Sequence, residues 1–317
     1  MAVRTERVQI DDRGVEIGHA EKILFPGEVI TKRELVDYYR RIAPWILPHL
    51  RERPLSMECY PDGTNRPGFF RKAVPSYFPG WIRTVPVEKK TGGSVRHVVC
   101  DDAATLVYLA NQACITPHIW LSRTDKLAYP DLMVFDLDPS GDGFGPAKAT
   151  AQALKDLLDR LRLPAYLKTT GSRGLHVAVP LRPSEEFDPV RAFAKELARV
   201  VVSQEPGQRT LEQRKSRRRG RVFVDVNRNA YAQTVAPAYA VRPRHGAPIS
   251  APLHWNELAK GELRPDGVTI RNAFDRLQKV GDPWADFWQR RASLDRARRK
   301  FEEFHGARGV SQETEAR

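Results

Sequence analysis

Cysteine is scarce: the chain has three, Cys59, Cys100 and Cys114, far apart from one another. That spacing makes neither a disulfide framework nor a zinc-ligand pattern. It argues against a small secreted scaffold and against a zinc finger. Long apolar runs are missing too; none approaches the roughly 20 residues that a membrane helix needs. The stretch from Met1 to Asp12 is polar and mixed in charge, unlike a secretory signal. Internal repeats and long low-complexity tracts are absent. Acidic residues are outnumbered, with 39 Asp and Glu against 52 Lys and Arg, a formal charge of +13. Such a surplus favours polyanions such as nucleic acid, or an anionic membrane surface. The chain reads as a reduced, cytoplasmic protein without membrane contact. Its 317 residues, 41% of them hydrophobic, suffice for a substantial core.

What is present is ordered along the chain. Thr31-Lys32-Arg33-Glu34 has the spacing of a capping box and opens a helix through Leu35, Val36, Tyr38 and Tyr39. Residues 53–99, rich in Pro, Gly and aromatics, read as short strands and loops. Leu106, Leu109, Ala110 and Ala113 recur at helical spacing. Leu132 to Leu137 reads as a buried strand, and 147–161 as an amphipathic helix. Strands at 166–169 and 175–180 flank the turn Thr170-Gly171-Ser172-Arg173-Gly174. A second amphipathic helix covers 188–203, and a strand covers 222–226. This alternation predicts an α+β fold. Between the last helix and the last strand lies the most basic segment, residues 209–221, with seven Arg or Lys against Glu212 alone.

Asp136 and Asp138 alternate at the end of a strand, so both carboxylates point to one side. Asp225 lies in another apolar strand, Val222-Phe223-Val224-Asp225-Val226, where a carboxylate needs a compensating partner. If the two strands are neighbours, three carboxylates converge. Two unit charges ~4 Å apart interact by ~4 kcal/mol at an effective dielectric near 20. Three such groups repel, take up protons or bind a cation, and oxygen-only ligands suit Mg²⁺ or Mn²⁺. The bland alternative is that Asp136 and Asp138 end a strand and bind loop amides.

The turn around Gly171 and Gly174 can present backbone amides to an anion, with Thr170, Ser172, Arg173 and His176 as further donors. It is equally an ordinary glycine-containing hairpin. In an extended segment Arg242 and Arg244 share a side, a pairing suited to phosphate and common on solvated edges. Phe69-Phe70-Arg71-Lys72 offers base stacking with charge at the backbone, or a core closed beneath a loop. His118 reads on its own as a polar core residue. Lys22 and Lys32 flank the turn before the capped helix and carry no message alone.

Taken together, these segments resemble the polymerase domain of bacterial ligase D and its stand-alone relatives in the archaeo-eukaryotic primase superfamily. The resemblance rests on Leu24-Phe25-Pro26 with Thr31-Lys32, Tyr60-Pro61-Asp62-Gly63 with Phe69-Phe70, and Thr105-Leu106-Val107 with Leu109-Ala110-Asn111. It continues through Phe135-Asp136-Leu137-Asp138-Pro139, Thr170 to His176, and Asp225 to Arg244, collinear from about residue 15 to 260. It implies a primase-type core of mixed, RRM-like sheets flanked by helices. On this basis residues 1–300 are expected to form one domain (1–125, a catalytic core at 126–260, a helical part at 261–300), followed by a polar tail at 301–317.

The implied activity is template-directed nucleotidyl transfer onto a primer 3′-OH, with two Mn²⁺ or Mg²⁺ ions and ribonucleotides preferred, in gap filling or end joining. Asp136, Asp138 and Asp225 match the metal ligands. His118, Thr170, Arg173, His176, Arg228, Arg242 and Arg244 match positions that contact the incoming nucleotide. Phe69 and Phe70 match aromatics that stack on the template and the nascent pair, and Lys22 and Lys32 match lysines that hold a downstream 5′-phosphate. The chain departs from the family pattern with Thr at 170 where Ser is common, Arg at 173 where Lys is common, and His19 where an Asn is usual. The 317 residues contain no Lys-x-Asp-Gly adenylation motif; the expectation is that the protein acts alone or recruits a ligase and an end-binding protein in trans. Two rival readings use the same residues. One is a haloacid-dehalogenase-type phosphatase with Asp136 as nucleophile; the other is a non-catalytic nucleic-acid clamp.

Overall fold

The computed structural model describes residues 5–89, 92–141 and 143–303, which fall into two compact units. The first comprises Met1–Leu127, Lys168–Gly174 and Ala232–Pro283. It begins with the hairpin β1 (Thr5–Ile10) and β2 (Arg13–Gly18), then the short pair β3 (Ile23–Phe25) and β4 (Ile30–Thr31). β4 runs directly into α1 (Lys32–Leu50). The expected capping box is present: the Glu34 amide donates to Thr31 Oγ1 at 3.3 Å, and the Thr31 amide donates to Glu34 Oε2 at 2.8 Å. Leu35, Tyr39, Ile42, Ile46 and Leu50 form the buried stripe of α1.

The central sheet of this unit contains β5 (Leu55–Cys59) and β6 (Phe69–Arg71). After them come the hairpin β7 (Thr84–Glu88) and β8 (Ser94–Val98), then α2 (Ala103–Asn111) and β9 (Cys114–Trp120). Asp102 caps α2 by accepting from the Thr105 amide at 2.7 Å. β5 and β9 are buried along their whole length, so each polar side chain they carry must find a partner. β6 covers the outer side of β5.

The second unit comprises Ala128–Leu167, Leu175–Tyr231 and Trp284–Arg317. Its elements are β10 (Leu132–Pro139), α3 (Gly145–Arg160), β11 (Tyr166–Thr169, which enters the first unit at Lys168), β12 (Leu175–Pro180), α4 (Phe187–Gln204), β13 (Arg209–Thr210), α5 (Lys215–Arg218) and β14 (Val222–Asp225). β10 is antiparallel to both β12 and β14, and β14 is parallel to β13, giving the order β13-β14-β10-β12. α3 and α4 pack on this sheet through Ala147, Ala151, Leu154 and Leu158 and through Val190, Phe193, Leu197 and Val201. The mixed α+β architecture is the one expected.

The strands and helices inferred from the sequence are found within a few residues of their predicted bounds, and the basic segment is structured as well. It contributes β13 and α5, and Arg209 and Arg218 are buried. After β14 the chain returns to the first unit with β15 (Thr234–Val235), which joins β9 to give the order β15-β9-β5-β6. β16 (Pro252–Leu253) and α6 (Ala273–Val280) follow. Among the described residues no helix is long and apolar enough to cross a membrane. The polar tail expected from residue 301 lies, from 304 on, outside the described residues.

Candidate active site

In the second unit, the register decides which side chains meet. Asp136 is directly opposite Asp225 in the β10–β14 ladder and opposite His176 in the β10–β12 ladder. Directly opposed residues project from the same face. Asp138, two residues on from Asp136, shares it. One face of the sheet thus presents His176, Asp136, Asp225 and Asp138, while Phe135, Leu137 and Val224 serve the core. His176 Nε2 lies 3.4 Å from Asp136 Oδ1. Burial raises the Asp225 carboxyl above its ordinary range; the Asp136 charge adds to this, and hydrogen bonds from Asn227 with the Arg228 charge oppose it without cancelling.

The carboxylates are close in the sheet, but one oxygen of each already has a partner. Arg218 Nη1 donates to Asp138 Oδ2 at 2.9 Å. The same guanidinium is pinned by Nε to the Glu212 carbonyl at 3.0 Å and by Nη2 to the Gln213 carbonyl at 2.9 Å, and it lies 4.1 Å over the Phe223 ring. Among the described residues, no three His, Cys, Asp or Glu side chains are gathered tightly enough to hold a metal ion as they stand. The donor set still fits a hard divalent cation: three carboxylates on one face, one of them raised by burial and a like charge. Arg218 is one cation that meets this charge, and its guanidinium has to leave Oδ2 before a metal can use that oxygen.

Two asparagines that the sequence reading passed over shape this face. After Asp225 the chain turns through residues Asn227–Asn229. The Asn227 amide and its Nδ2 both donate to Asp225 Oδ1, at 2.8 and 2.7 Å. Asn229 is buried. Its Oδ1 accepts from the Val134 amide at 2.8 Å, and its Nδ2 donates to the Val134 carbonyl at 2.7 Å and the Val226 carbonyl at 2.9 Å. β14 pairs with β10 only at residues 136–139, so the Asn229 side chain continues the ladder where the backbone has turned away. The Asp-x-Asn-x-Asn spacing was the available signal. Arg228, between them, is exposed.

In the first unit, β5 and β9 bring a buried pair together: His118 Nε2 lies 2.9 Å from Glu58 Oε2. Burial alone pushes Glu58 up, but the His118 hydrogen bond and the Arg242 charge outweigh it and leave the carboxyl below its usual range. Phe70, opposite Glu58 on β6, sets its exposed ring edge-on to His118, with centroids 5.1 Å apart. Phe69 is exposed beside it, with Arg71 over its ring at 5.1 Å, and Lys72 is exposed next in the chain. Glu58 carried no sequence signal, because only the ladder register puts it beside His118.

The glycine turn is closed by Thr170, whose Oγ1 accepts from the Ser172 and Gly174 amides at 3.2 Å each. Its hydroxyl therefore shapes the loop, and Arg173 at the tip is exposed. Gly171 has φ +64°, and a Cβ there would come 2.6 Å from Arg242 Cγ and 2.8 Å from the Ile249 carbonyl. Only glycine fits, and the close approach sets Arg242 against the turn. The expectation that Arg242 and Arg244 alternate along an extended segment is corrected. The Arg244 amide donates to the Arg242 carbonyl at 2.8 Å, so the backbone folds tightly around Pro243 and strand alternation does not apply. Arg242 is half-buried and Arg244 exposed. At the start of the unit, Lys32 Nζ donates to the Gly18 carbonyl at 2.7 Å and Lys22 Nζ lies 3.5 Å from Asp62 Oδ1. Burial, with Lys22 nearby, holds the Lys32 ammonium below its ordinary value.

The family model described as LigD, primase-polymerase domain, matches residues 31–284. The chain belongs to this family. It is 31% identical over 271 residues to the bifunctional non-homologous end joining protein LigD of Bacillus subtilis, covering 85% of this chain and 43% of that protein. With the multifunctional non-homologous end joining protein LigD of Pseudomonas aeruginosa it is 32% identical over 293 residues, covering 90% of this chain and 34% of that one. The chain thus spans less than half the length of these relatives. A solved structure, the polymerase domain from Mycobacterium tuberculosis ligase D in complex with DNA, matches with a TM-score of 0.82 at 28% identity, over 88% of this chain and 99% of that one. A LigD primase-polymerase domain is a polymerase-type nucleotidyltransferase, and the match covers β10, β12 and β14, which carry the acidic face.

Proposed function

We propose that this LigD-type domain extends a primer 3′-OH on a DNA template with nucleoside triphosphates, ribonucleotides preferred, in short-gap filling or double-strand-break end joining. The observation that carries the reading is the pairing of Asp136 with Asp225, with Asp138 on the same face. These carboxylates are the groups to hold two divalent ions, Mn²⁺ or Mg²⁺. Bound there, such ions would supply charge that lowers the pKa of the attacking hydroxyl and stabilises the leaving pyrophosphate. The protein's own part is to fix the carboxylates. Asn227 holds one oxygen of Asp225, and Asn229 ties the following turn to β10.

His118, its ring oriented by Glu58, together with the residue 170–174 turn, His176, Arg228, Arg242 and Arg244, is assigned to the nucleotide and its phosphates. Phe69 and Phe70 are assigned to base stacking, and Lys72 to the strand backbone. End joining comes from the relatives' names, and a ligase and an end-binding protein as partners belong to the same proposal. The family assignment displaces the phosphatase reading. The deciding assay is extension of a gapped duplex, NTP against dNTP, Mn²⁺ against Mg²⁺. Incorporation favouring NTP with Mn²⁺ is the expected result. DNA binding without any incorporation would instead identify a clamp.

Lys22 and Lys32 are assigned to a downstream 5′-phosphate, because two neighbouring ammoniums, one of them buried, gain most from an anion. Replacing both by Ala should reduce the preference for a 5′-phosphorylated gap about tenfold or more, since hydrogen bonds to charged groups contribute about 1.5–3 kcal/mol each. Binding titrations with phosphorylated and unphosphorylated gaps measure it, and an undiminished preference refutes the assignment.

A further inference from the structure

Arg191 of α4 donates from Nη2 to Asn227 Oδ1 at 2.9 Å. Asn227 in turn gives both its backbone amide and its Nδ2 to Asp225 Oδ1. A primary amide has one accepting and one donating end. With Arg191 on the oxygen, the nitrogen can only face the carboxylate. The three groups form a directed chain, guanidinium to amide to carboxylate, that begins on a helix and ends on a proposed metal ligand. We propose that Arg191 is a positioning residue for the divalent-metal site. It locks the Asn227 amide, which holds Oδ1 of Asp225 and thereby sets the direction of the second carboxylate oxygen. The proposal rests on the assignment of Asp225 as a metal ligand.

The surroundings favour this over a purely structural role. β13 pairs with β14 only at residues 222 and 223, so the strand edge next to Asn227 is not covered by another strand there. A cavity of about 370 Å³ opens at that edge, lined by Arg191, Lys195, Gln213, Val224, Val226 and Asn227 among others. Arg191 is half-buried on its wall, outside the stripe of Val190, Phe193, Ala194 and Leu197 that α4 contributes to the core. Truncating it lets water into an existing space instead of emptying a packed one, so the variant should fold. Partners that orient a metal ligand are typically worth 10–100-fold in metal affinity.

The test is Mn²⁺ binding to the DNA-free, nucleotide-free protein, read from the free-Mn²⁺ electron paramagnetic resonance signal, with the metal dependence of primer extension as a second measure. Arg191→Ala should raise the Mn²⁺ Kd about tenfold, and its apparent KM for Mn²⁺ should rise by more than kcat falls. Arg191→Lys, which keeps a donor, should recover most of the affinity. Asn227→Ala should match Arg191→Ala, and the double variant should be no worse than either, as for two members of one chain of contacts. Wild-type Kd in Arg191→Ala overturns the proposal, as does a Lys variant as weak as the Ala variant or full additivity in the double variant. Asp225→Ala is the separate control. If it binds Mn²⁺ like the wild type, the metal assignment fails and not the relay alone.

Discussion

Replacing Asp225 by Asn is expected to abolish nucleotide transfer while leaving the metal-free protein at least as stable as the wild type, and more stable near neutral pH. The two effects have one origin. The Asp225 carboxyl is half-buried and faces Asp136 across the ladder, and it is raised above its ordinary range. The folded state therefore binds a proton that the unfolded chain has already released. Stability is lost as pH rises from the unfolded value through the folded one, and above both the charged group remains a net cost. Asparagine keeps an oxygen to accept from Asn227 and removes the charge. The stability gain should shrink as pH falls below the ordinary carboxylate range, where wild-type Asp225 is neutral in both states.

The same charge is what a divalent cation needs. Losing a ligand that stabilises the transition state by several kcal/mol corresponds to about a thousandfold or more in rate. Primer extension and thermal melting with and without Mn²⁺ measure both halves. Asp138→Ala should also eliminate extension and leave DNA binding largely intact. An Asp225→Asn variant that extends primers normally would remove Asp225 from the chemistry. One that melts well below the wild type at neutral pH would show that the carboxylate is net stabilising.

Removing the Asn229 side chain is expected to cost about 2–4 kcal/mol, because it strands buried backbone groups and not because it empties much volume. Its amide supplies both the acceptor for the Val134 N–H and the donor for the Val134 C=O, as a further strand residue would. Asn229→Ala leaves that pair and the Val226 carbonyl without these partners inside the protein. Asn229→Asp should do no better, since a carboxylate accepts but cannot donate, and its charge would be buried. Urea denaturation gives the measurement. A change below about 0.5 kcal/mol, typical of an uninvolved surface site, would show that water or a backbone shift replaces the amide. Because Asn229 ties the Asp225 turn to β10, extension should fall as well, even with the carboxylates intact.

Much of this site was legible in the linear chain where one period or one short motif carried it. Asp136 and Asp138 follow from strand alternation, and the capping box at Thr31 from its spacing. The Thr170–Gly174 turn follows from two glycines, one of which admits no Cβ. The neighbouring of β10 and β14 was a guess about pairing that the register bears out. Alternation does not relate Arg242 to Arg244, because it holds only in an extended strand and the chain turns sharply between them.

What the sequence by itself determined is the set of elements, the acidic alternation on one strand, the basic surplus and the family pattern, all of which depend on neighbours within a few residues. Only the tertiary structure decided which distant partner each group found: Glu58 for His118, Arg218 for Asp138, and Arg191 behind Asn227. These partners are separated by 36 to 80 residues. They meet through strand register and helix packing, which bury apolar faces along the whole length of an element and so bring together polar groups whose local sequence carries no sign of one another.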